Sequence, residues 1–226
     1  MRVAVLFSGG KDSTYATWVI QHQGWEVASL ITVKPESPDS MLFHYPNIAW
    51  THLQAQALGI PQQTIAPGKN GELSSLKQTL DEEKKDLEID GLVTGALASD
   101  YQKTRFDNLC DSVGITSFSP LWHKKPATIV RDLIDSGFEV MMTHVAAAGL
   151  DQSWLGRRLK QSDWDELTEL SKKHGIHLSG EGGEYETFVL DGPNFKERLE
   201  IDEGSLSWNG QTGTYTIKKA ALRNKL

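Results

Sequence analysis

The chain has 226 residues, enough for one large domain or two small ones with a substantial core in either case. Its formal net charge is −7 and its sequence pI is about 5.5, so the composition predicts neither a basic field nor direct nucleic-acid binding. The single cysteine, Cys110, excludes an internal disulfide framework and a multi-cysteine metal site. Because no signal sequence or membrane-spanning apolar stretch is seen, we expect a cytoplasmic protein without a membrane partner.

The first predicted elements are a strand, a glycine turn and a helix. Residues 3–7 are five consecutive apolar residues and predict a short buried strand. The turn at 8–10 contains two glycines, which let the backbone approach a ligand closely. A helix then opens at 11–13, and the N–H groups and dipole of a helix start favour an anion. With Lys11 as a mobile cation, this stretch predicts a phosphate or pyrophosphate site.

The string SGGKDS at residues 8–13 resembles the PP-loop of the ATP pyrophosphatases. It is not the Walker arrangement, whose first glycine would fall at Val5. The resemblance implies cleavage of ATP between the α and β phosphates, adenylation of an acceptor oxygen, and displacement of AMP by a nitrogen or sulfur nucleophile. From the glycine pair alone, an ordinary tight turn remains an alternative.

A second apolar strand is predicted at residues 27–33, which makes a βαβ unit and therefore a parallel sheet. Ligands collect at the carboxyl edge of such sheets, so we expect backbone atoms near Ile31 and Thr32 to contact adenine. The next segment, 41–47 with His44, is either a lid over the nucleotide or an apolar flap packed on the sheet. Further helices are predicted at about 48–58 and 72–87, and further strands at 63–66 and 91–95.

Another helix is predicted from about residue 100. Its apolar residues fall at i, i+3, i+4 and i+7 from Phe106, a core-facing pattern that places Cys110 inside the fold. Tyr101 and Arg105 lie at the start of this helix, near the expected nucleotide. Arg105 is interpreted either as a phosphate contact or as part of a surface ion pair, and both interpretations stay open.

The pattern changes after residue 118, so we expect two domains, an α/β nucleotide-binding domain at 1–118 and a smaller α+β domain at 119–226. The second domain is predicted to contain a helix at 126–136, a strand at 138–143, and a helix that starts at Ser162 with Asp165 as its capping partner. Three further strands are predicted in its last part, at residues 185–190, 198–202 and 212–218.

A glycine-rich acidic motif at residues 179–187 places three carboxylates within six residues. In an extended chain, Glu184 and Glu186 share one face and Tyr185 lies on the other. Crowded carboxylates repel one another, so a fold that gathers them normally supplies a cation. That cation could be Mg²⁺, a neighbouring basic side chain or a charged substrate. An acidic surface turn remains the alternative on composition alone.

The chain is similar to the diphthine–ammonia ligase family of PP-loop enzymes along nearly its whole length. The acidic motif and the SDYQ segment are the most specific to that family. Residues past about Leu199 are expected to contribute nothing to the resemblance. The length is similar to that of the short members. The segments that carry the resemblance are 8–13, 41–47, 99–105, 120–122, 147–157 and 180–193.

The resemblance implies an adenine nucleotide alpha hydrolase-like fold and an ATP-dependent, AMP-forming amide ligase. Its substrate would be diphthine, the modified histidine of translation elongation factor 2, and ammonium would supply the nitrogen of the product, diphthamide. No glutamine-hydrolysing domain is visible, so free ammonium is expected. ATP and Mg²⁺ are the implied cofactors. A homodimer is one option for the oligomeric state.

The resemblance and the motifs together assign residues to each role. The ATP contacts are Ser8, Gly9, Gly10, Lys11, Ser13, Ile31, Thr32, Tyr101 and Arg105. The catalytic residues are Lys11, Asp12 and Ser13, and Asp12 would also help to hold Mg²⁺ or anchor the start of the helix. The contacts for the carboxylate and trimethylammonium of diphthine are Glu181, Glu184, Tyr185, Glu186 and Trp122, with Trp154 and Tyr101 as further aromatic walls.

Two other functions remain open at this point. One is a PP-loop ligase that acts on another carboxylate or on a nucleoside, although a buried lone cysteine speaks against thiolation. The other is a nucleotide-binding protein without catalysis. Turnover of ATP to AMP and pyrophosphate separates catalysis from simple retention of ATP.

Overall fold

The computed structural model describes residues 1–35 and 47–225. The chain divides into two compact units, Met1–His123 and Lys124–Leu226. Residues 119–123, which the sequence-based boundary assigns to the second domain, belong with the first unit.

The first unit is built on a five-stranded parallel sheet, as the apolar runs predict. Its two central strands, at 2–6 and 26–33, are buried for most of their length, the pattern expected where helices cover both faces of a sheet. The strands are β1 Arg2–Leu6, β2 Glu26–Val33, β3 Gln62–Ile65, β4 Gly91–Val93 and β5 Thr116–Phe118. The short strand β5 was not predicted because three residues, only one of them apolar, carry no readable period.

The strand order is β3-β2-β1-β4-β5, so the chain builds outward from β1 in both directions. The connections after β1 and β4 therefore leave the sheet on opposite sides and open a crevice at the carboxyl ends of these strands. The helices between the strands are α1 Lys11–His22, α2 Thr51–Leu58, α3 Glu72–Asp86 and α4 Asp100–Val113. The predicted phosphate turn follows β1 directly and thus lies at this crevice.

The apolar face predicted for α4 packs into the core of this unit. Phe106, Leu109, Cys110 and Val113 are all buried, and Cys110 has no exposed surface. Burial raises the pKa of the Cys110 thiol to about 11. The prediction that this cysteine is a small core residue is confirmed.

The second unit is a smaller α+β structure with a four-stranded antiparallel sheet of order β7-β6-β9-β8, and the predicted class is confirmed. Its elements are α5 Pro126–Asp135, β6 Glu139–Val145, α6 Gln161–His174, β7 Tyr185–Asp191, β8 Glu197–Trp208 and β9 Gly213–Asn224.

Two details of this unit differ from the prediction. Strands β8 and β9 form a hairpin with twelve residues in each strand, much longer than predicted, because its exposed polar positions hide the alternation that marks a half-buried strand. Helix α6 is capped by Lys160, whose N–H donates to the Asp163 carboxylate at 2.7 Å, so the expected start at Ser162 with Asp165 is wrong.

A buried carboxyl group joins α3 to the sheet of the first unit. Glu83 is 6% exposed, and its Oε2 accepts a hydrogen bond from the Ser29 hydroxyl of β2 at 2.5 Å. Burial raises the pKa of the Glu83 carboxyl, and the hydrogen bond from Ser29 opposes that shift in part. The folded protein therefore holds this proton more tightly than the unfolded chain does.

We expect Glu83→Gln to become more stable relative to the wild type as the pH rises. A carboxyl whose pKa is raised on folding contributes stability below its unfolded pKa, and this contribution is lost as the pH rises through the folded pKa. Glutamine keeps an acceptor for Ser29 and cannot ionise. Urea unfolding of both proteins between about pH 5 and about pH 8 measures the difference. The control is Glu82→Gln, which changes an exposed neighbour. A difference in the free energy of unfolding between Glu83→Gln and the wild type that does not depend on pH would contradict the prediction.

Candidate functional site

The turn after β1 has a backbone geometry that suits an anion. Gly9 has φ +77°, a left-handed conformation that glycine adopts without strain, and Gly10 occupies the N-cap position of α1. The first hydrogen bond of the helix runs from the Thr14 N–H to the Gly10 carbonyl at 3.1 Å. The N–H groups before Thr14 therefore point out of the first helical turn, where they and the helix dipole favour negative charge.

The two serines of this turn are braced against each other. The Ser13 hydroxyl accepts the Ser8 N–H at 3.3 Å, lies 3.1 Å from the Ser8 hydroxyl, and donates to the Gly10 carbonyl at 3.2 Å. The Gly10 N–H points to the Ser8 hydroxyl at 3.4 Å. These contacts hold the turn in one shape, so Ser8 and Ser13 organise the backbone that would face a phosphate.

Lys11 and Asp12 form an ion pair inside the turn. The Lys11 side chain is only 3% exposed, and its Nζ lies 2.8 Å from Asp12 Oδ2. In the described part of the chain, the other carboxylate oxygen, Asp12 Oδ1, is buried and has no hydrogen-bond partner. A buried polar atom of this kind is costly unless a ligand satisfies it, so Asp12 is suited to a cation that accompanies phosphates.

The connection after β4 approaches this turn closely. A Cβ atom on Gly95 would lie 2.8 Å from the Ser13 nitrogen and 2.9 Å from the Asp12 carbonyl carbon, so only glycine fits there. Helix α4 then begins at Asp100, capped by the Ser99 hydroxyl, which accepts the Gln102 N–H at 3.3 Å. The structure thus brings the first turns of α1 and α4 to the same edge of the sheet.

The other predicted nucleotide contacts occupy two environments. Ile31 and Thr32 have no exposed surface at the end of β2. Tyr101 and Arg105 lie on the outside of α4, with the Arg105 guanidinium 3.4 Å from the centre of the Tyr101 ring. Arg105 also donates to the Tyr101 carbonyl at 3.2 Å, so this pair stacks as one unit on the surface.

Trp122 belongs to the first unit and is half-buried. Its ring stacks on His123 at 4.6 Å between centroids, and the Lys103 ammonium lies 5.6 Å from the Trp122 ring centre. Its role as a substrate contact stays a prediction. The lid or flap interpretation of residues 41–46, including His44, lies outside the described residues.

The acidic motif of the second unit is organised by the Glu184 carboxylate. Oε1 of Glu184 accepts the His177 N–H at 2.9 Å, and Oε2 accepts the Gly182 N–H at 2.8 Å. Tyr185 is 2% exposed, and its hydroxyl donates to the Leu178 carbonyl. Both side chains therefore hold the loop between α6 and β7 closed.

Glu181 and Glu186 lie on either side of Glu184 in the sequence and are half-buried. Glu186 lies directly across the sheet from His144 of β6, whose Nδ1 is 3.0 Å from the Thr214 hydroxyl. The sequence did not indicate His144, because a lone histidine in a strand carries no signal of its own. The structure places the His144 imidazole on the strand that pairs with the acidic motif.

Two negative findings apply to residues 1–35 and 47–225. No group of three or more histidine, cysteine, aspartate or glutamate side chains there is arranged to hold a metal ion. No helix in the same residues is long and apolar enough to span a membrane.

Two models of one protein family match this chain. The diphthamide synthase N-terminal domain matches residues 1–117, and the diphthamide synthase C-terminal domain matches residues 125–222. The C-terminal match extends well beyond Leu199, so the expectation that the tail adds nothing to the resemblance is wrong.

Curated relatives of this chain include several proteins named diphthine–ammonia ligase. The diphthine–ammonia ligase of Homo sapiens is 34% identical over 91% of this chain and 85% of its own length, and that of Danio rerio is 34% identical over 89% and 87%. All of this chain aligns with 40% of the Schizosaccharomyces pombe ligase at 33% identity, so that relative is longer. A solved structure, a predicted subunit of a tRNA methyltransferase from Methanocaldococcus jannaschii, covers 97% of this chain and 98% of its own at 17% identity, with a TM-score of 0.42.

We expect Glu184→Ala to open the loop between α6 and β7. Hydrogen bonds to a charged acceptor contribute about 1.5–3 kcal/mol each, so amide exchange at His177 and Gly182 should accelerate by roughly 10- to 100-fold. Glu184→Gln keeps one acceptor oxygen and should give an intermediate rate. Hydrogen exchange followed by NMR measures both amides, and unchanged protection in Glu184→Ala would show that the carboxylate does not hold the loop.

Proposed function

The chain belongs to the diphthamide synthase family, and from this membership we propose that it is an ATP-dependent diphthine–ammonia ligase. The reaction joins a carboxylate to ammonia as an amide and releases AMP and pyrophosphate. The observation that carries the proposal is the buried Lys11 ammonium at the helix mouth, in a chain whose two halves match the two domains of this family.

We propose that ATP places its outer phosphates on the turn between β1 and α1. The backbone of Gly9 and Gly10, the Lys11 ammonium and the braced Ser8 and Ser13 face the charge that builds on departing pyrophosphate. The other proposed contacts are Ile31 and Thr32 for adenine, and Tyr101 and Arg105 for AMP. Support comes from the common sheet edge that these residues share with the turn.

Asp12 is the proposed Mg²⁺ ligand of this site. The fit rests on its buried Oδ1 atom, which has no hydrogen-bond partner among the described residues, while Oδ2 faces Lys11. A bound Mg²⁺ screens the phosphate charges and takes most of its ligands from phosphate and water. Asp12 thus serves both to hold Lys11 in place and to supply one hard oxygen ligand.

The proposed protein substrate is translation elongation factor 2 carrying diphthine. The diphthine carboxylate attacks the α-phosphorus of ATP, and the bond to the β-phosphate oxygen breaks, so that pyrophosphate leaves. Free ammonia then attacks the acyl carbon and loses a proton as AMP leaves, and an amide remains. A cytoplasmic location is proposed because this factor works on cytoplasmic ribosomes.

We assign recognition of the trimethylammonium group to the acidic motif of the second unit. A quaternary ammonium cannot donate hydrogen bonds, so carboxylates and aromatic faces are its suitable partners. Glu181 and Glu186 supply charge, while Glu184 and Tyr185 shape the loop that presents them. Trp154 is the weakest aromatic candidate, because the Arg157 guanidinium already lies 4.2 Å from its ring centre.

The direct test mixes the protein with ATP, ammonium and elongation factor 2 that carries diphthine. We expect AMP and pyrophosphate to form together with the small mass decrease that accompanies exchange of a hydroxyl for an amine. Reactions without ammonium and reactions with a factor that lacks diphthine are the controls. Retention of ATP without any AMP, or equal AMP formation with the unmodified factor, would refute the proposal.

We expect Lys11→Met to lower kcat by about 10²–10³-fold, because methionine keeps the length of the side chain and removes the charge aimed at the leaving pyrophosphate. The same assay of AMP formation measures the loss. Lys85→Met, which changes an exposed lysine of α3, is the matched control and should leave the rate unchanged. Equal rates in the wild type and Lys11→Met would remove Lys11 from the reaction.

A further inference from the structure

Two backbone carbonyls of the turn after β1 accept hydrogen bonds from buried side chains of β2 and α2. The Phe7 carbonyl accepts the Thr32 hydroxyl of β2 at 2.7 Å, and the Gly9 carbonyl accepts the Gln54 amide of α2 at 2.9 Å. Thr32 and Gln54 have no exposed surface. Neither contact touches the side where an anion would bind, so both act on the shape of the turn.

The polar network continues behind these two contacts. The Gln62 amide nitrogen donates to the Thr32 hydroxyl at 2.7 Å and to the Thr51 hydroxyl at 2.8 Å. The Thr51 hydroxyl in turn donates to the Ile48 carbonyl at 2.8 Å. Each donor in this chain meets an acceptor, so β2, β3 and the start of α2 are joined to the turn in one fixed arrangement.

The orientation of the Gln54 amide follows from its partner. A carbonyl oxygen can only accept, so the Gln54 atom that lies 2.9 Å from the Gly9 oxygen is the nitrogen. A trans peptide unit is planar, and its C=O and N–H point in opposite directions. Holding the Gly9 oxygen toward α2 therefore turns the Gly10 N–H away from α2, toward the Ser8 hydroxyl in the turn.

Without such a contact, the peptide between two glycines is among the easiest to rotate, since neither residue has a side chain that resists it. Rotation of the Gly9–Gly10 peptide would replace an N–H donor by a carbonyl oxygen facing the anion. Phosphate oxygens and a carbonyl oxygen repel each other, so one rotated peptide would weaken the whole site.

We propose that Gln54 is a positioning residue that holds the Gly9–Gly10 peptide in the orientation that binds the outer phosphates of ATP. The inference rests on the proposed function only in taking ATP as the ligand of this turn. Gln54 acts through the Gly9 carbonyl and does not touch the nucleotide in this scheme.

The test compares Gln54→Met, which keeps the length but removes the donor, with the wild type in calorimetric binding of ATP and of AMP. Loss of one buried hydrogen bond should weaken ATP binding by roughly five- to fifty-fold. AMP lacks the two outer phosphates, so its affinity should not change. A general loss of structure would weaken both ligands to the same degree, and that result would overturn the inference.

Gln54→Glu adds a readout that depends on pH. The ionised carboxylate has no proton to donate and repels the Gly9 carbonyl, whereas the protonated acid can donate to it. Burial raises the pKa of such a carboxyl, so ATP affinity relative to the wild type should recover as the pH falls from about 8 to about 6. The matched control is Gln56→Glu, the same change at an exposed position two residues along α2, which should bind ATP like the wild type.

The outcomes separate the two proposals. If the wild type binds ATP but never forms AMP in the presence of the modified factor and ammonium, the proposed function fails, while the role of Gln54 is still decided by the binding data. If Gln54→Met and Gln54→Glu bind ATP like the wild type, the inference is wrong. It is also wrong if both variants are unfolded by circular dichroism, because the amide would then determine the fold rather than the turn.

Discussion

The ion pair between Lys11 and Asp12 is the interaction on which the charge of the turn after β1 depends. An ammonium group that is 3% exposed is unfavourable unless negative charge lies beside it, and Asp12 supplies that charge at 2.8 Å. The pair stands at the start of α1, where the helix dipole itself favours an anion. The two side-chain charges of the pair balance each other, so the helix dipole adds a partial positive charge to the turn, which favours an anion.

The strand order of the sheet determines where the anion-favouring turn is located. Because β2 and β4 lie on either side of β1, the connections after β1 and β4 run in opposite directions and open a crevice between these two strands. Gly95 lets the next connection approach within contact of the turn, while buried polar side chains hold it from behind. The backbone of the turn is thus held in one orientation by its neighbours, and the Lys11 ammonium lies within it.

The second unit uses its charges differently. Glu184 satisfies two backbone N–H groups and closes a glycine-rich loop, so one of three neighbouring carboxylates is a structural group. This arrangement lowers the repulsion within the motif, since the Glu184 charge is shared with two donors. Glu186 and His144 are paired positions in the register of β6 and β7.

The sequence by itself determined the features that depend on near neighbours along the chain: the glycine turn, the parallel sheet with its helices, the inward-facing Cys110 and the acidic motif. Each of these features is indicated by a hydrophobic period of two or 3.6 residues or by a short sequence motif. The tertiary structure alone decided that Gln54 holds Gly9, 45 residues away, and that Glu83 meets Ser29 across 54 residues. It also decided the length of the β8–β9 hairpin and the pairing of His144 with Glu186. These contacts depend on how helices and strands pack against one another, and no local pattern records the partner that packing will supply.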